Sequence, residues 1–196
     1  MHNFRHLVLA FLICVAMICT AACLSKTSEP ASVQKAAGEG GIIEPGNTPT
    51  SWMTIPITDT VTGTQPTIDD LASEGKPVIM HTFAIWCPAC SMQLRATSAL
   101  SKKNPGRFVV IGVDIDPREN SAQVKNHVEK NRFEGMYAAA PAPFTRSLMD
   151  TVGDQIVRSL PQTIIICNTS VTYIGDGVFS EERLDSILTE ICKEPS

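Results

Sequence analysis

The order of hydrophobic and polar residues along the chain predicts alternating strands and helices. The runs Val78–Ala84 and Phe108–Ile115 are largely apolar and rich in β-branched and aromatic residues, which is typical of buried strands. Shorter runs of the same kind predict strands at Gly135–Ala140, Ile164–Cys167 and Val171–Gly175. A ragged apolar pattern at Trp52–Ile57, interrupted by Pro56, predicts an edge strand.

Helical periodicity separates these strands. The predicted helices cover Thr67–Ser73, Ser91–Lys103, a segment from Asn120 or Ser121 to Arg132, Pro143–Val152 and a segment that begins after Ser180. The last of them places Leu184, Ile187, Leu188 and Ile191 on one stripe. The alternation predicts an α/β domain with parallel crossovers early in the chain and an antiparallel hairpin near its end.

The first residues predict an export signal over 1–22. Arg5 lies in a short polar start, Leu7–Ile18 is an unbroken apolar run, and small residues precede Cys23. This end resembles the lipobox of prokaryotic lipoproteins, which implies lipidation of Cys23, although Thr20 stands where leucine is usual. The alternatives are an uncleaved membrane anchor and cleavage to a free secreted form.

Composition divides the remainder into a tether and a folded domain. Residues 23–50 are rich in Ser, Thr, Pro, Gly, Ala and Glu, which predicts a flexible tether, and 51–193 carries the alternating elements. The net charge is -4, and the chain has no basic block that could neutralise several phosphates. We therefore expect no nucleic-acid partner.

Two cysteines, Cys87 and Cys90, follow the first central strand with two residues between them. A CxxC pair can be a redox dithiol, half of a zinc site or a coincidence. Behind an export signal, where conditions are oxidising, the disulfide-exchanging pair is the first interpretation. A second pair with zinc-ligand spacing is missing from the sequence, so we expect no metal.

The strand should deliver Cys87 to the N-terminus of the following helix. Pro88 suits the first helical position, because its missing N–H would have had no partner there. Free N–H groups and the positive end of the helix dipole would then stabilise the Cys87 thiolate. Cys87 is therefore the predicted nucleophile and Cys90 the resolving thiol. No flavin or nicotinamide fingerprint is present in the sequence, so the cysteine pair itself is the predicted redox group.

Residues around the pair extend the candidate site. Trp86 provides either a flat wall beside the sulfur or ordinary core packing, and Ala89 with Pro88 helps to set the redox potential. Far downstream, Leu160 and Pro161 stand directly before a predicted strand.

The order strand, WCPAC, helix, strand, helix, proline-led hairpin and final helix resembles the thioredoxin fold. With the export signal and the strand-and-helix insertion, it is more closely similar to the TlpA/ResA-like thiol-disulfide oxidoreductases. The resemblance implies a central mixed β-sheet flanked by helices on both faces. It also implies a cis bond at Leu160–Pro161, with Pro161 against the disulfide and its backbone available to a substrate strand.

Several residues depart from the pattern of that family, or have roles that the sequence leaves undecided. His81 stands where Asp or Asn is common, and it is either a proton carrier for Cys90 or a hydrogen-bonded core residue. Arg95 replaces a helix-kinking proline. The acidic residue that the family carries near the site corresponds to Asp114, Asp116 or Glu119. For Cys167 and Cys192 the sequence favours free buried cysteines over a disulfide, and His127 is assigned to a solvated helix face with no role.

The resemblance implies a membrane-tethered extracytoplasmic enzyme that reduces disulfides in exported proteins, including those of cytochrome maturation, and is recharged by a membrane redox partner. The alternatives are a net disulfide oxidant or isomerase, and a metal-binding chaperone like the Sco copper proteins. The Sco proteins use a longer cysteine spacing and a downstream histidine, neither of which this sequence has.

Overall fold

The computed structural model describes residues 42–43, 51–168 and 170–192. The predicted signal 1–22, Cys23 and nearly all of the predicted tether lie outside the described residues. No helix in the described ranges is both long enough and apolar enough to cross a membrane.

The described strands form one mixed sheet. They are β1 (Ile42–Ile43), β2 (Val78–Phe83), β3 (Val109–Asp114), β4 (Met136–Ala139), β5 (Gln162–Cys167) and β6 (Ser170–Asp176). Their order across the sheet is β1-β6-β5-β2-β3-β4. β2, β3 and β4 run parallel, whereas β5 pairs antiparallel with both β2 and β6. The predicted early crossovers and late hairpin are confirmed.

Helices cover the sheet. They are α1 (Ile68–Ser73), α2 (Pro88–Lys103), α3 (Ser121–Asn131), α4 (Ala142–Val152), α5 (Gln155–Arg158) and α6 (Glu181–Ile191). Capping contacts explain several of the starts, because the side chains of Thr67, Cys87, Asn120 and Ser180 accept backbone N–H groups of the first turns.

Strand β2 lies at the centre because both of its faces are apolar. Val78 and Met80 pack with residues of α1, α4 and α5 on one face. On the other face, Ile79 packs with residues of α2 and α6, and Phe83 packs with residues of α2 and α3. Side chains alternate along a strand, so this one segment anchors both helical layers. The predicted sheet with helices on both faces is confirmed.

The edge strand predicted at Trp52–Ile57 is wrong. Residues Ser51–Thr54 form a 3₁₀ helix, and Ile57 donates its backbone N–H to Pro66 O at 3.0 Å rather than to a strand. Trp52 is fully buried, and its ring meets Phe144 edge-on with centroids 5.9 Å apart. The apolar residues of this segment therefore anchor it to the core without joining the sheet.

Strand β1 lies inside the stretch that composition predicts to be a tether. Ile42 and Ile43 pair antiparallel with Thr172 and Val171 of β6. At these two positions the prediction of a flexible tether is wrong. They are two consecutive β-branched residues in a segment otherwise rich in small and polar ones, and β-branched residues favour an extended backbone.

Candidate active site

The CxxC segment lies where β2 gives way to α2. Cys87 is the N-cap residue, and its N–H donates to Ala84 O at 3.1 Å, which turns the chain out of the strand. Pro88 occupies the first helical position, as predicted. The N–H of Cys90 donates to Cys87 Sγ at 3.1 Å, so the sulfur takes the place that an oxygen holds in an ordinary N-cap.

The two sulfur atoms are bonded to each other in a disulfide. Cys87 is 5% exposed and Cys90 is 0% exposed. Pro88 is exposed and Ala89 half-buried, so the first turn of α2 covers the second sulfur. An incoming thiol or disulfide therefore meets Cys87 first.

The segment that contains Pro161 contacts the sulfur pair through Leu160. The Leu160–Pro161 peptide bond is cis, as the family resemblance implied, and Pro161 is buried. Cys87 Sγ is 3.9 Å from the carbonyl oxygen of Leu160. This brings together two segments that are more than seventy residues apart in sequence.

Trp86 is an exposed wall of the site and not a core residue. It is 61% exposed, and its indole Nε1 donates to Asp116 Oδ2 at 2.7 Å. Beside it is a cavity of about 350 Å³ whose lining includes Ala84, Ile115 and Leu160. This largely apolar groove runs from the tryptophan to the residue that precedes the cis proline.

The three candidate acidic residues all lie in the segment next to the CxxC loop. Asp116 accepts two hydrogen bonds from the guanidinium of Arg118, at 2.9 and 2.6 Å. Those bonds and the Trp86 indole hold the pKa of Asp116 well below its usual range. Glu119 Oε2 accepts the N–H of Ile85 at 2.8 Å. Asp114 is 2% exposed, and burial together with the nearby Glu119 carboxyl raises the pKa of Asp114 to about 8.

His81 is buried in the middle of β2 and is hydrogen-bonded on both ring nitrogens. Nδ1 lies 3.1 Å from Thr163 Oγ1 and Nε2 lies 2.8 Å from Thr97 Oγ1. Burial lowers the pKa of His81 to about 4, so the imidazole is neutral at pH 7. This is the geometry of the hydrogen-bonded core alternative.

Sequence reasoning missed the residues that surround His81. Gln93 is fully buried, donates to Thr97 Oγ1 at 3.1 Å and accepts the N–H of Phe179. Gln93 and Thr97 lie three and seven residues after Cys90 on α2, on its buried side. Polar residues at that helical spacing on the sheet-facing side were the available signal.

His127 does not lie on a solvated face, so its assignment from the sequence is wrong. Its ring stacks on Phe83 with centroids 6.4 Å apart and meets Phe133 at 5.6 Å. Partial burial lowers the pKa of His127. Arg95 lies on the neighbouring helix, is exposed and donates to Asn131 Oδ1 at 3.0 Å. The aromatic residues of β2 and of the segment before β4 explain why α3 turns His127 inwards.

Cys167 and Cys192 are joined in a disulfide, so the expectation of free cysteines is wrong. Cys167 ends β5 and Cys192 caps α6, with Cα atoms 5.4 Å apart. Both half-buried residues pack at the edge of the cluster shared by α2 and α6. In the described ranges, no group of three or more His, Cys, Asp or Glu residues could hold a metal ion.

A scan against protein-family models found no match. A search of curated proteins found no match either. Solved structures do match. The thioredoxin-family thiol:disulfide interchange protein of Chlorobium tepidum superposes with a TM-score of 0.61 at 20% identity, covering 71% of this chain and 93% of its own.

Two further structures match over similar lengths. A secreted Mycobacterium tuberculosis disulfide oxidoreductase homologous to Escherichia coli DsbE has a TM-score of 0.57 at 14% identity, covering 72% of this chain and 98% of its own. The exposed lipoprotein thioredoxin of Streptococcus pneumoniae has a TM-score of 0.56 at 22% identity, covering 70% and 98%. At these identities the similarity shows the fold alone: the chain has the thioredoxin-like fold, with a CxxC disulfide at the N-terminus of α2.

Proposed function

We propose that the protein is a thiol-disulfide oxidoreductase in which Cys87 is the nucleophile and Cys90 the resolving thiol. The observation that carries the proposal is the position of Cys87 Sγ. It accepts the Cys90 N–H at the start of a sixteen-residue helix and faces the Leu160–Pro161 segment. Such a position stabilises a thiolate, the species that attacks disulfides.

The order of the reaction steps follows from the exposed fractions of Cys87 and Cys90. In the reduced protein the Cys87 thiolate attacks one sulfur of a substrate disulfide, forming a mixed disulfide and releasing the other substrate sulfur as a thiolate that takes up a proton. The buried Cys90 then loses its proton and attacks Cys87 Sγ. This step forms the Cys87–Cys90 disulfide and releases the second substrate thiol. Two electrons pass from the cysteine pair to the substrate, so no other cofactor is required.

The groove beside Trp86 supports a polypeptide substrate. Its apolar lining borders the Leu160–Pro161 bond, and an extended chain placed there can reach both the backbone beside Pro161 and the Cys87 sulfur. The similar structures include a thiol:disulfide interchange protein and a secreted disulfide oxidoreductase by name.

The setting of the enzyme is also part of the proposal. The apolar run 7–18 and the small residues before Cys23 support export and a lipid anchor, with an uncleaved signal anchor as the alternative. A protein so placed would reduce disulfides of exported proteins, cytochrome-maturation substrates among them, and a membrane dithiol donor would restore its own pair.

Insulin reduction, followed by turbidity in the presence of a dithiol donor, tests the chemistry. We expect Cys87→Ser to abolish turnover and Cys90→Ser to trap a mixed disulfide that appears as a higher-mass species on non-reducing gels. The matched control is Cys167→Ser with Cys192→Ser, which removes cysteines outside the site and should retain turnover. Wild-type turnover by Cys87→Ser would refute the assignment. Titration against glutathione buffers then measures whether the pair is reducing or oxidising.

A further inference from the structure

Beside the CxxC loop, one buried carboxyl oxygen has no hydrogen-bond donor. Asp114 is the last residue of β3, and its Oδ1 accepts the N–H of Asp116 at 2.9 Å. Its Oδ2 is buried and unpaired. A buried acceptor without a partner is costly, and a buried charge without one more so. A proton on this oxygen would remove the buried charge and would let the oxygen donate a hydrogen bond.

The Glu119 carboxyl lies beside Asp114, because Asp114 pairs with Phe83 at the end of β2 and Glu119 bonds to Ile85 two residues further along the chain. Two ionised carboxylates cannot hydrogen-bond to each other and repel at close range, whereas one shared proton turns the repulsion into a hydrogen bond. Glu119 also accepts the N–H of Ile85 at 2.8 Å. Ile85 directly precedes Trp86 and Cys87, so the Glu119 carboxyl connects Asp114 to the segment that carries the reactive sulfur.

We propose that Asp114 and Glu119 share one proton, and that this carboxyl pair is a positioning device that fixes the Ile85–Trp86 segment in front of Cys87. Protonated Asp114 donates to Glu119, and Glu119, still negatively charged, accepts the Ile85 N–H. Glu119 thus stays on the segment because Asp114 supplies the proton that removes the repulsion between them.

The surrounding charges support one proton on the pair rather than none or two. Arg118 and the Trp86 indole hold Asp116 as a carboxylate. The negative charge of Asp116 therefore disfavours ionisation of Asp114. On the other side, the Arg118 guanidinium lies near Glu119 and is the positive charge next to the pair. The proton is therefore assigned to Asp114, whose burial and whose neighbouring carboxyls raise its pKa to about 8.

Loss of the shared proton at high pH would place two negative charges against each other in a largely buried position. Glu119 would then be driven away from Asp114, and its bond to Ile85 would weaken. The proposal rests on the proposed function only where it connects this segment to catalysis, because the pairing itself is a property of the folded chain.

Carboxyl and amide NMR titration of the oxidised full chain tests the pairing, because the disulfide removes the titration of Cys87 and Cys90. Between about pH 5 and about pH 10, we expect the Asp114 side-chain carbon, the Glu119 side-chain carbon and the Ile85 amide to shift together in one ionisation. In Glu119→Gln the Asp114 ionisation should fall by roughly one pH unit or more, because the like charge is gone. In Asp114→Asn the amide N–H replaces the acidic proton, and the Ile85 amide should no longer shift over this range.

The matched control is Glu129→Gln. Glu129 is an exposed carboxylate on α3 that pairs with Lys125, and its replacement should leave the Asp114 ionisation unchanged. Independent titration of both carboxyls below about pH 5, the range of ordinary acids, would overturn the proposal. The proposal would also be overturned if the chemical shift of the Ile85 amide did not change over this ionisation.

A catalytic readout comes from iodoacetamide alkylation of Cys87 in the reduced protein. The wild-type pH profile should show a second ionisation that Asp114→Asn lacks and Glu129→Gln keeps, whereas identical wild-type and Asp114→Asn profiles would refute a positioning role. An inactive insulin assay with intact NMR coupling would instead refute the proposed function and leave the pair established.

Discussion

Buried His81 should make the protein lose stability in mild acid. In the folded chain the ring is fully buried, hydrogen-bonded to Thr163 and Thr97, and its pKa is lowered to about 4. In the unfolded chain a histidine has a pKa of about 6.5. Below that pH the unfolded chain binds a proton at this histidine and the folded chain does not. The free energy of unfolding therefore falls as the pH drops from 6.5 towards 4, and it changes no further from this cause below pH 4.

The size of the effect follows from the two pKa values. A difference of about 2.5 units corresponds to about 3 kcal/mol of unfolding free energy lost between pH 7 and pH 4, of which about 2 kcal/mol is already lost at pH 5. For a domain whose whole stability is typically about 5 to 15 kcal/mol, a loss of this size is readily measured.

Urea unfolding at a series of pH values measures the slope. His81→Gln keeps a neutral polar side chain without an ionisable ring, so its stability should fall less than that of the wild type by the amounts given above. The absolute stability of the variant is immaterial, since only the difference in pH dependence counts. His127→Gln is the matched control: its half-buried ring has a less perturbed pKa, and the slope should change less. Parallel curves for wild type and His81→Gln would show that His81 is protonated in the folded state and refute the reasoning.

Three further predictions concern stability. Replacing Cys167 and Cys192 by serine removes a disulfide that closes a loop of 25 residues, and it should lower the free energy of unfolding, measured in urea, by about 3 to 4 kcal/mol. Unchanged stability would contradict this prediction. Gly112→Ala should cost about 1 to 3 kcal/mol, because its Cβ would overlap the Tyr137 ring; the cost should shrink in a Tyr137→Leu background, and thermal unfolding of the four proteins tests this. Thr67→Ala removes the α1 capping box and should cost about 1 kcal/mol, whereas Thr67→Ser should cost far less.

The local part of the site was predictable because its causes are local in sequence. A strand-forming run, a cysteine at an N-cap and a proline at the first helical position are enough to place Cys87 and Cys90. Pro161 was placed against the pair only through the family resemblance. An X-Pro bond by itself is trans in most cases, and the partner segment is distant in sequence.

What sequence reasoning missed depends on contacts between distant elements. Whether Cys167 and Cys192 are bonded depends on the end of β5 meeting the end of α6, which no spacing rule specifies. The inward position of His127 depends on the aromatic ring of Phe83 in another element. The segment at Trp52 has the apolar content of a strand, but its residues fill the core beside Phe144 and have no ladder partner.

The antiparallel pairing of β2 with β5 separates the two disulfides of the domain. Cys87 follows the carboxyl end of β2, whereas Cys167 ends β5 beside Val78, at the amino end of β2. Six strand residues lie between these ends, a distance of about 20 Å. A thiol bound at Cys87 therefore cannot pass electrons directly to the Cys167–Cys192 bond. In a redox titration of the folded protein, the CxxC pair should therefore take up its two electrons as a couple whose potential is independent of the Cys167–Cys192 bond.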